Sequence, residues 1–180
     1  MVSYGIIMII EMVSNSTIIL CCFEGFMKEK ICAFCGHRDV FEADIAEHAE
    51  KEITALIENG FTAFYSGGMG EFDKICERVV RRIKKRNDNI KLCLILPYIK
   101  SGVSNAPEYY NELYDEIIVP DLGNLHYKRA ITERNRWIVS RADMILAYVF
   151  RNYGGAYTML KYAEKLDTEY INVCKTGMVR

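Results

Sequence analysis

The sequence lacks a strong net charge and lacks any long uninterrupted apolar run. It has 23 lysines plus arginines against 24 aspartates plus glutamates, so the formal net charge is −1. A chain so close to neutrality has no general attraction to nucleic acid or to an acidic membrane surface, and either partner would need a local patch. Glu11 and the polar residues 14–17 interrupt the apolar segments of residues 1–26. Neither segment therefore approaches the ~20 residues that a membrane span needs.

Residues 1–26 also lack the features of a secretory signal. No basic region precedes their apolar part, and no A-x-A-like cleavage site follows it. Met27 is followed by KEKICAFCG, a natural beginning for a domain that opens on a strand. We hypothesise that Met27 is the working start and that residues 27–180 form one domain. Residues 1–26 would be an upstream read-through or a mobile arm outside the fold. A weak membrane-surface anchor is the alternative, but no basic charge supports it. Mass spectrometry of the native N-terminus would decide.

The second half of a metal site is missing as well. Cys32 and Cys35 have C-x-x-C spacing with His37 close behind, yet the chain has no second C-x-x-C and no H-x-x-x-H. A redox pair normally lies at a helix start, whereas Cys32 lies within a predicted strand. Alternation along that strand would put the two thiols on opposite faces of the sheet. We interpret the pair as core packing and expect no metal site. The seven scattered cysteines are typical of reduced thiols in a cytoplasmic protein.

From Lys30 onward, apolar strand-like segments alternate with segments of helical periodicity. Such an order predicts an α/β fold of the Rossmann-like, doubly wound type, with a mainly parallel sheet of about six strands and helices on both faces. The predicted strands are residues 30–35, 61–65, 90–97, 116–120, 143–150 and 170–174. The predicted helices are residues 42–59, 71–86, 107–114, 128–142 and 156–166.

Two glycine-rich turns join a predicted strand to a predicted helix, SGGMGEFD at residues 66–73 and RNYGGAY at residues 151–157. In open parallel sheets, ligands bind at the carboxyl ends of the strands, where such turns meet helix N-termini. Glycines allow close approach of a bound group, and the N–H groups of a helix start favour an anion. Neither turn matches G-x-G-x-x-G or a Walker A loop. Together they favour a phosphate-bearing ligand, whereas each alone could be a tight turn.

Other side chains at the same edge have both functional and structural interpretations. Arg38, in the GHRD turn after the first strand, would offer a planar donor fork to phosphate. His37 and Tyr98 could orient a ribose or stack on a base, although His37 could equally cap or pack. Asp73 could stabilise the helix dipole or reach a ribose hydroxyl. The basic run at residues 81–86 is more typical of a solvated helix end than of a nucleic-acid site, because exposed aromatic residues are not interleaved with it.

Four motifs together resemble the SLOG superfamily, which unites the Smf/DprA and LOG proteins on a Rossmann-like fold. They are GHRD, SGGMGEFD, ERNRWIVSRAD and GGAYTMLKYAEKL, and the resemblance covers about residues 30–174. The most similar branch is the YpsA-like proteins, which are found in bacteria and their prophages. The resemblance implies a cytoplasmic protein that binds a nucleotide or a nucleotide-derived ligand at the glycine turns.

The LOG proteins are phosphoribohydrolases, and part of their pattern is present. The resemblance places Glu133 and Arg134 on the LOG glutamate and functional arginine, and Gly154 and Gly155 on its glycines. The proline of the LOG glycine loop is missing, and its carboxylate position falls on Leu160 or Lys161. N-glycoside cleavage passes through an oxocarbenium-like state that a carboxylate stabilises. A LOG-type reaction would therefore need a substitute from Glu71, Asp73 or Glu133.

The resulting hypothesis is a nucleotide-binding protein, either a sensor or an enzyme of unidentified substrate. A nucleoside monophosphate N-glycosidase is the alternative, with Arg134, Glu133, Glu71 and Asp73 as candidate catalytic residues. A single-strand DNA-binding module of the DprA type ranks third, because the charge is neutral. We expect a small-molecule partner, no membrane association, a possible homodimer and no certain cofactor beyond the ligand. The expected ligand-binding residues are Gly36, His37, Arg38, Ser66, Gly67, Gly68, Met69, Gly70, Asp73, Pro97, Tyr98, Arg134, Gly154 and Gly155.

Overall fold

A computed structural model describes the backbone of most of the chain. The described residues are 9–13, 16–20, 29–99, 105–123 and 125–175. Strands β1 (Ile9–Val13) and β2 (Ser16–Leu20) pair antiparallel as a two-stranded sheet of their own. The proposed extension, residues 1–26, contains both strands, and its separation from the domain remains a prediction. No helix within the described ranges is long and apolar enough to cross a membrane.

The main sheet has six strands, and the described residues outside it form five helices that alternate with these strands. The strands are β3 (Lys30–Gly36), β4 (Phe61–Ser66), β5 (Lys91–Ile95), β6 (Glu116–Ile118), β7 (Met144–Tyr148) and β8 (Glu169–Asn172). The helices are α1 (Ile45–Glu58), α2 (Glu71–Lys84), α3 (Pro107–Leu113), α4 (Tyr127–Val139) and α5 (Gly155–Lys165). The predicted alternation is confirmed, although β5 and β7 end earlier than the apolar runs that predicted them.

The six strands lie in the order β6-β5-β4-β3-β7-β8, and every neighbouring pair is parallel. The chain builds outward from β3 to β6, then returns to the other side of β3 with β7 and β8. Connections therefore leave β3 and β7 in opposite directions. This change of direction opens a crevice at the carboxyl ends of these two strands, which is where doubly wound folds bind ligands.

Both faces of the sheet are covered, which explains why its strands are apolar throughout. The core on one face includes α1 and α2, with Phe34 of β3 packed among their side chains. The core on the other face includes α4 and α5. Cys32 lies in the first core and Cys35 in the second, as strand alternation predicts. Burial raises the pKa of the Cys32 thiol to about 12, so this thiol stays protonated as a packing group.

Candidate functional site

A cavity of about 340 Å³ lies at the crevice between the carboxyl ends of β3 and β7. Three strand-to-helix turns and one face of α4 form its walls. Its lining includes nine of the predicted ligand-binding residues, namely Gly36, His37, Arg38, Gly67, Met69, Asp73, Arg134, Gly154 and Gly155. It also includes Asn135, Arg151 and Tyr153, which the sequence did not single out.

Arg134 lies at the buried end of this cavity. It belongs to α4, and only 1% of its surface is exposed. Its Nη1 donates a hydrogen bond to the carbonyl oxygen of Ile95 at 2.8 Å. Its Nε has no hydrogen-bond partner among the described residues. A buried guanidinium with an unused donor is costly unless a ligand supplies an acceptor.

Gly67 is the residue that makes room for this arginine. A Cβ atom at position 67 would lie 2.4 Å from Nη1 of Arg134, far inside van der Waals contact. The first glycine of the SGGMG turn is therefore required by a close approach. The approaching group is the guanidinium of α4, whereas the sequence had suggested a phosphate.

Asp73 provides a negative charge near Arg134. The residue is 6% exposed, and its Oδ2 accepts a hydrogen bond from the Met69 N–H at 2.9 Å. Burial raises the pKa of Asp73 to about 6, and the nearby Glu77 carboxylate acts in the same direction. The Met69 N–H and the Arg134 guanidinium oppose this rise. Asp73 is the one carboxyl residue among the described residues that line the cavity.

The amides of the SGGMG turn are largely used within the protein. The Gly68 N–H donates to Oγ of Ser66 at 3.1 Å, and this hydroxyl donates to Oε1 of Glu77 at 2.6 Å. The Glu71 N–H, at the start of α2, donates to the Arg38 carbonyl oxygen. With the Met69 N–H on Asp73, three amides near the start of α2 already have acceptors. The amides of this turn therefore bind polar groups of the protein itself as much as they could bind a ligand.

Glu77 is a buried residue that the sequence reading missed. It is 4% exposed, and its second carboxylate oxygen accepts a hydrogen bond from the Tyr114 hydroxyl at 2.9 Å. The sequence offered one signal for its burial. Glu77 lies four residues after Asp73 on the apolar stripe of α2, and residues at this spacing share a helix face. Glu77 thus accepts hydrogen bonds from Ser66, the first residue of the SGGMG turn, and from Tyr114, the residue that follows α3. The bond from Ser66 anchors the turn to α2.

The start of α5 is the more open of the two glycine-bearing helix starts. Gly154 caps the helix with φ of +94°, a left-handed conformation that favours glycine. A Cβ atom at Gly154 or Gly155 would meet nothing within 4 Å. The first turn contains no acidic residue, so no side chain of that turn neutralises the positive end of the helix dipole. Its first-turn amides have no partner within the helix and suit an anion.

His37 has a structural position at the cavity wall. Its Nδ1 lies 3.4 Å from the Phe150 nitrogen, whose N–H donates to it, and its Nε2 lies 3.3 Å from the Tyr153 carbonyl oxygen. This pattern fits a neutral ring with its proton on Nε2. Burial lowers the pKa of His37, and the nearby Arg151 charge acts in the same direction. His37 follows β3, and both of its ring nitrogens thus contact the segment that joins β7 to α5.

Two further arginines lie around the cavity. Arg38 is exposed and lines both this cavity and an adjoining groove of about 490 Å³, which also contains Gly70 and Glu71. The guanidinium carbon of Arg151 lies 5.0 Å from the ring centre of Phe150 and 5.2 Å from that of Tyr153. With Arg134, the lining has three arginines and one carboxyl group. The cavity therefore suits an anion.

Several predicted residues lie outside the cavity lining. Glu133 makes an ion pair with Arg136 at 2.8 Å, away from the crevice. Pro97 is buried and Tyr98 is 39% exposed, and neither lines the cavity. Both follow β5, which β4 and β3 separate from β7. Glu71 faces the adjoining groove and pairs with Lys74 and Arg78. Ser66 and Gly68 belong to the SGGMG turn but do not line the cavity, Ser66 being buried and Gly68 exposed outside it.

The described residues contain one group with metal-ligand geometry, and it lies elsewhere. Glu42, Asp44 and His48 bring their ligand atoms together at the start of α1. Lys175 makes an ion pair with Asp44 there. A metal ion would have to compete with this lysine, and none of the three residues lines the cavity.

Comparison with known proteins identifies relatives by structure alone. No protein-family model matches the sequence, and no curated protein matches it. Among solved structures, the protein TM1055 superposes with a TM-score of 0.57 at 15% identity, over 82% of this chain and 76% of that one. At this identity the similarity shows a shared fold.

Two further structures have the same fold, and the proteins bind different ligands. DNA processing protein A (DprA) from Helicobacter pylori, described as binding single-stranded DNA, has a TM-score of 0.55 at 18% identity, with 78% of this chain and 63% of that chain covered. The molybdenum cofactor binding protein from Rippkaea orientalis has a TM-score of 0.52 at 18% identity, with 81% and 77% covered. The Rossmann-like fold implied by the SLOG resemblance is thereby confirmed, and DprA belongs to the groups that this superfamily unites.

Proposed function

We propose that this protein binds an anionic nucleotide or nucleotide-derived ligand in the cavity between β3 and β7, as a SLOG protein of the YpsA-like branch. The observation that carries the proposal is the buried guanidinium of Arg134, whose Nε lacks a partner among the described residues. It lines the cavity together with Arg38, Arg151 and the open start of α5. A phosphate there would accept charge-assisted hydrogen bonds from groups already fixed in place.

The position of the anion follows from the two glycine turns. The amides before α2 already have acceptors in Ser66, Asp73 and the Arg38 carbonyl. The first turn of α5 has no acidic residue and open space beside its glycines. Phosphate would therefore bind at the start of α5, beside Arg134, and the SGGMG turn would form the opposite wall. The fold neighbours bind different ligands, so the chemistry of the site, and not the fold, selects the ligand.

A thermal-shift screen tests the proposal. The full chain is heated with nucleoside mono-, di- and triphosphates, NAD and ADP-ribose, and each mixture is then analysed for products by chromatography. A ligand at about 100 times its Kd stabilises the native state by about 2.7 kcal/mol, which raises Tm by roughly 5 to 10 °C.

The matched variants are Arg38→Ala and Arg82→Ala. Both remove an exposed arginine, but Arg82 pairs with Glu50 on the surface between α1 and α2. We expect Arg38→Ala to weaken binding by ~10-fold or more, as for a lost charged hydrogen bond, and Arg82→Ala to have no effect. If no phosphate compound in the panel raises Tm, the proposal is wrong.

An N-glycosidase is the second candidate, and the position of Asp73 favours it. Asp73 is the cavity-lining carboxyl group, and its pKa of about 6 suits acid–base chemistry near neutral pH. Glu133, suggested by the LOG resemblance, pairs with Arg136 instead. Free base together with ribose 5-phosphate after incubation with a nucleoside monophosphate would establish the reaction, and Asp73→Asn should abolish it. Recovery of every nucleotide intact would leave binding alone.

A further inference from the structure

Exposed aromatic surface at the cavity is concentrated in one residue. Tyr153 is 63% exposed and lines the cavity beside the start of α5. Met69, on the turn before α2, is the other large apolar residue of the lining that is at least a third exposed. A tyrosine ring left in water at the edge of a cationic cavity has its flat face available to a ligand.

The backbone and ring of Tyr153 are held in place by the residues behind it. Its carbonyl oxygen lies 3.3 Å from Nε2 of His37. Its ring lies against the guanidinium of Arg151, which also lies against the ring of Phe150. Phe150 in turn contacts Tyr148, which is 1% exposed, with ring centres 5.6 Å apart. A series of contacting aromatic and guanidinium groups thus runs from Tyr148 in the core to Tyr153 at the cavity edge, with the Tyr148 and Phe150 ring planes tilted by 56°.

We infer that Tyr153, supported by Arg151, is the residue that stacks on the base of the bound nucleotide and gives the site a preference for purines. This inference rests on the proposed function. The anion would lie at Arg134 and the start of α5, and Tyr153, one residue before the Gly154 cap, would lie next to it. A base attached to that phosphate through ribose would reach the exposed ring of Tyr153 and add one further contact to this series. Purines have the larger ring area, so they bury more apolar surface in such a stack.

The test separates the base from the phosphate. Titration calorimetry of the full chain would measure AMP, UMP and ribose 5-phosphate against wild type, Tyr153→Phe and Tyr153→Ala. We expect AMP to bind ~10-fold or more tightly than ribose 5-phosphate and more tightly than UMP. Tyr153→Ala should remove most of the AMP advantage and leave the Kd of ribose 5-phosphate unchanged. Tyr153→Phe, which keeps the ring, should retain it.

Two controls sharpen the result. Tyr109→Ala removes a similarly exposed tyrosine on α3, outside the cavity lining, and should change nothing. Arg151→Ala should weaken all three ligands, because it removes a charge as well as support for the ring. Equal loss of AMP and ribose 5-phosphate binding in Tyr153→Ala, or no loss of either, would overturn the stacking role while the proposed anion site stands. Failure of all three ligands to bind wild type would overturn the stacking role, and the proposed function would fall with it if no compound of the thermal-shift panel raised Tm.

Discussion

At the scale of single residues, Asp73 shows how burial and charge oppose each other at this site. Its pKa of about 6 lies above the ordinary value of 3.8, chiefly because burial penalises the carboxylate. The folded protein therefore holds this proton more tightly than the unfolded chain does. This tighter proton binding contributes to the free energy of unfolding in full below pH 3.8, and the contribution is lost as the pH rises through 6. Above pH 7 the buried carboxylate lowers stability by about 3 kcal/mol relative to the protonated group.

The raised pKa of Asp73 predicts a change of stability with pH that can be assigned to this one residue. Lowering the pH from 7.5 to 4.5 should stabilise wild type relative to Asp73→Asn by about 2 kcal/mol, since only wild type gains the proton. Urea unfolding of both proteins at the two pH values measures this difference and cancels the titration of all other groups. The stabilities of both proteins changing in parallel with pH would show that Asp73 has an ordinary pKa.

At the scale of elements, most helices and strands could be predicted, because their apolar spacing is a local property. The stripe of Ile45, Ala49, Ile53 and Leu56 on α1 is buried as its spacing indicates. The site was predicted less completely. Arg151 and Tyr153 were missed because their role depends on Phe150 and His37, which come from different strands. Tyr98 follows a strand that sheet order puts away from the crevice, and strand order cannot be read from alternation alone.

The contact between the SGGMG turn and α4 gives a second prediction. In Gly67→Ala the new methyl group would overlap the Arg134 guanidinium, which is fixed by the Ile95 carbonyl. We expect a loss of about 1 to 3 kcal/mol of stability, as for overpacking elsewhere in protein cores, together with weaker ligand binding. Gly155→Ala is the matched control, because its Cβ meets nothing within 4 Å, and its stability should match wild type within ~1 kcal/mol. Denaturant unfolding of wild type, Gly67→Ala and Gly155→Ala measures the two changes in stability. Equal stability of Gly67→Ala and wild type would show that the methyl group does not overlap the guanidinium.

At the scale of the whole molecule, positive charge is distributed in two different ways. The cavity lining has three arginines and one carboxyl group, whereas three of the five cations in the basic run at residues 81–86 pair with carboxylates. Arg81 lies 3.7 Å from Glu77, Arg82 lies 2.5 Å from Glu50, and Lys84 pairs with Asp115. A long polyanion binds through many phosphate contacts along a continuous basic surface. Because Arg81, Arg82 and Lys84 each lie beside a carboxylate, this run offers less free positive charge to a polyanion. The three arginines of the cavity lining favour a small anionic ligand instead.

The charge distribution therefore predicts weak binding to single-stranded DNA, despite the fold shared with DprA. Fluorescence anisotropy with a labelled 30-nucleotide oligothymidine at 150 mM salt should give a Kd weaker than roughly 10⁻⁴ M, the weak end of non-specific binding. The same titration at 50 mM salt checks for binding that screening conceals, because a protein that neutralises several phosphates gains steeply in affinity as salt falls. Micromolar binding that weakens as salt rises would mean that an extended basic surface exists and that the DNA-binding alternative is correct. Binding unaffected by salt but abolished by competing AMP would instead place one nucleotide of the oligomer in the cavity, in agreement with a small nucleotide ligand.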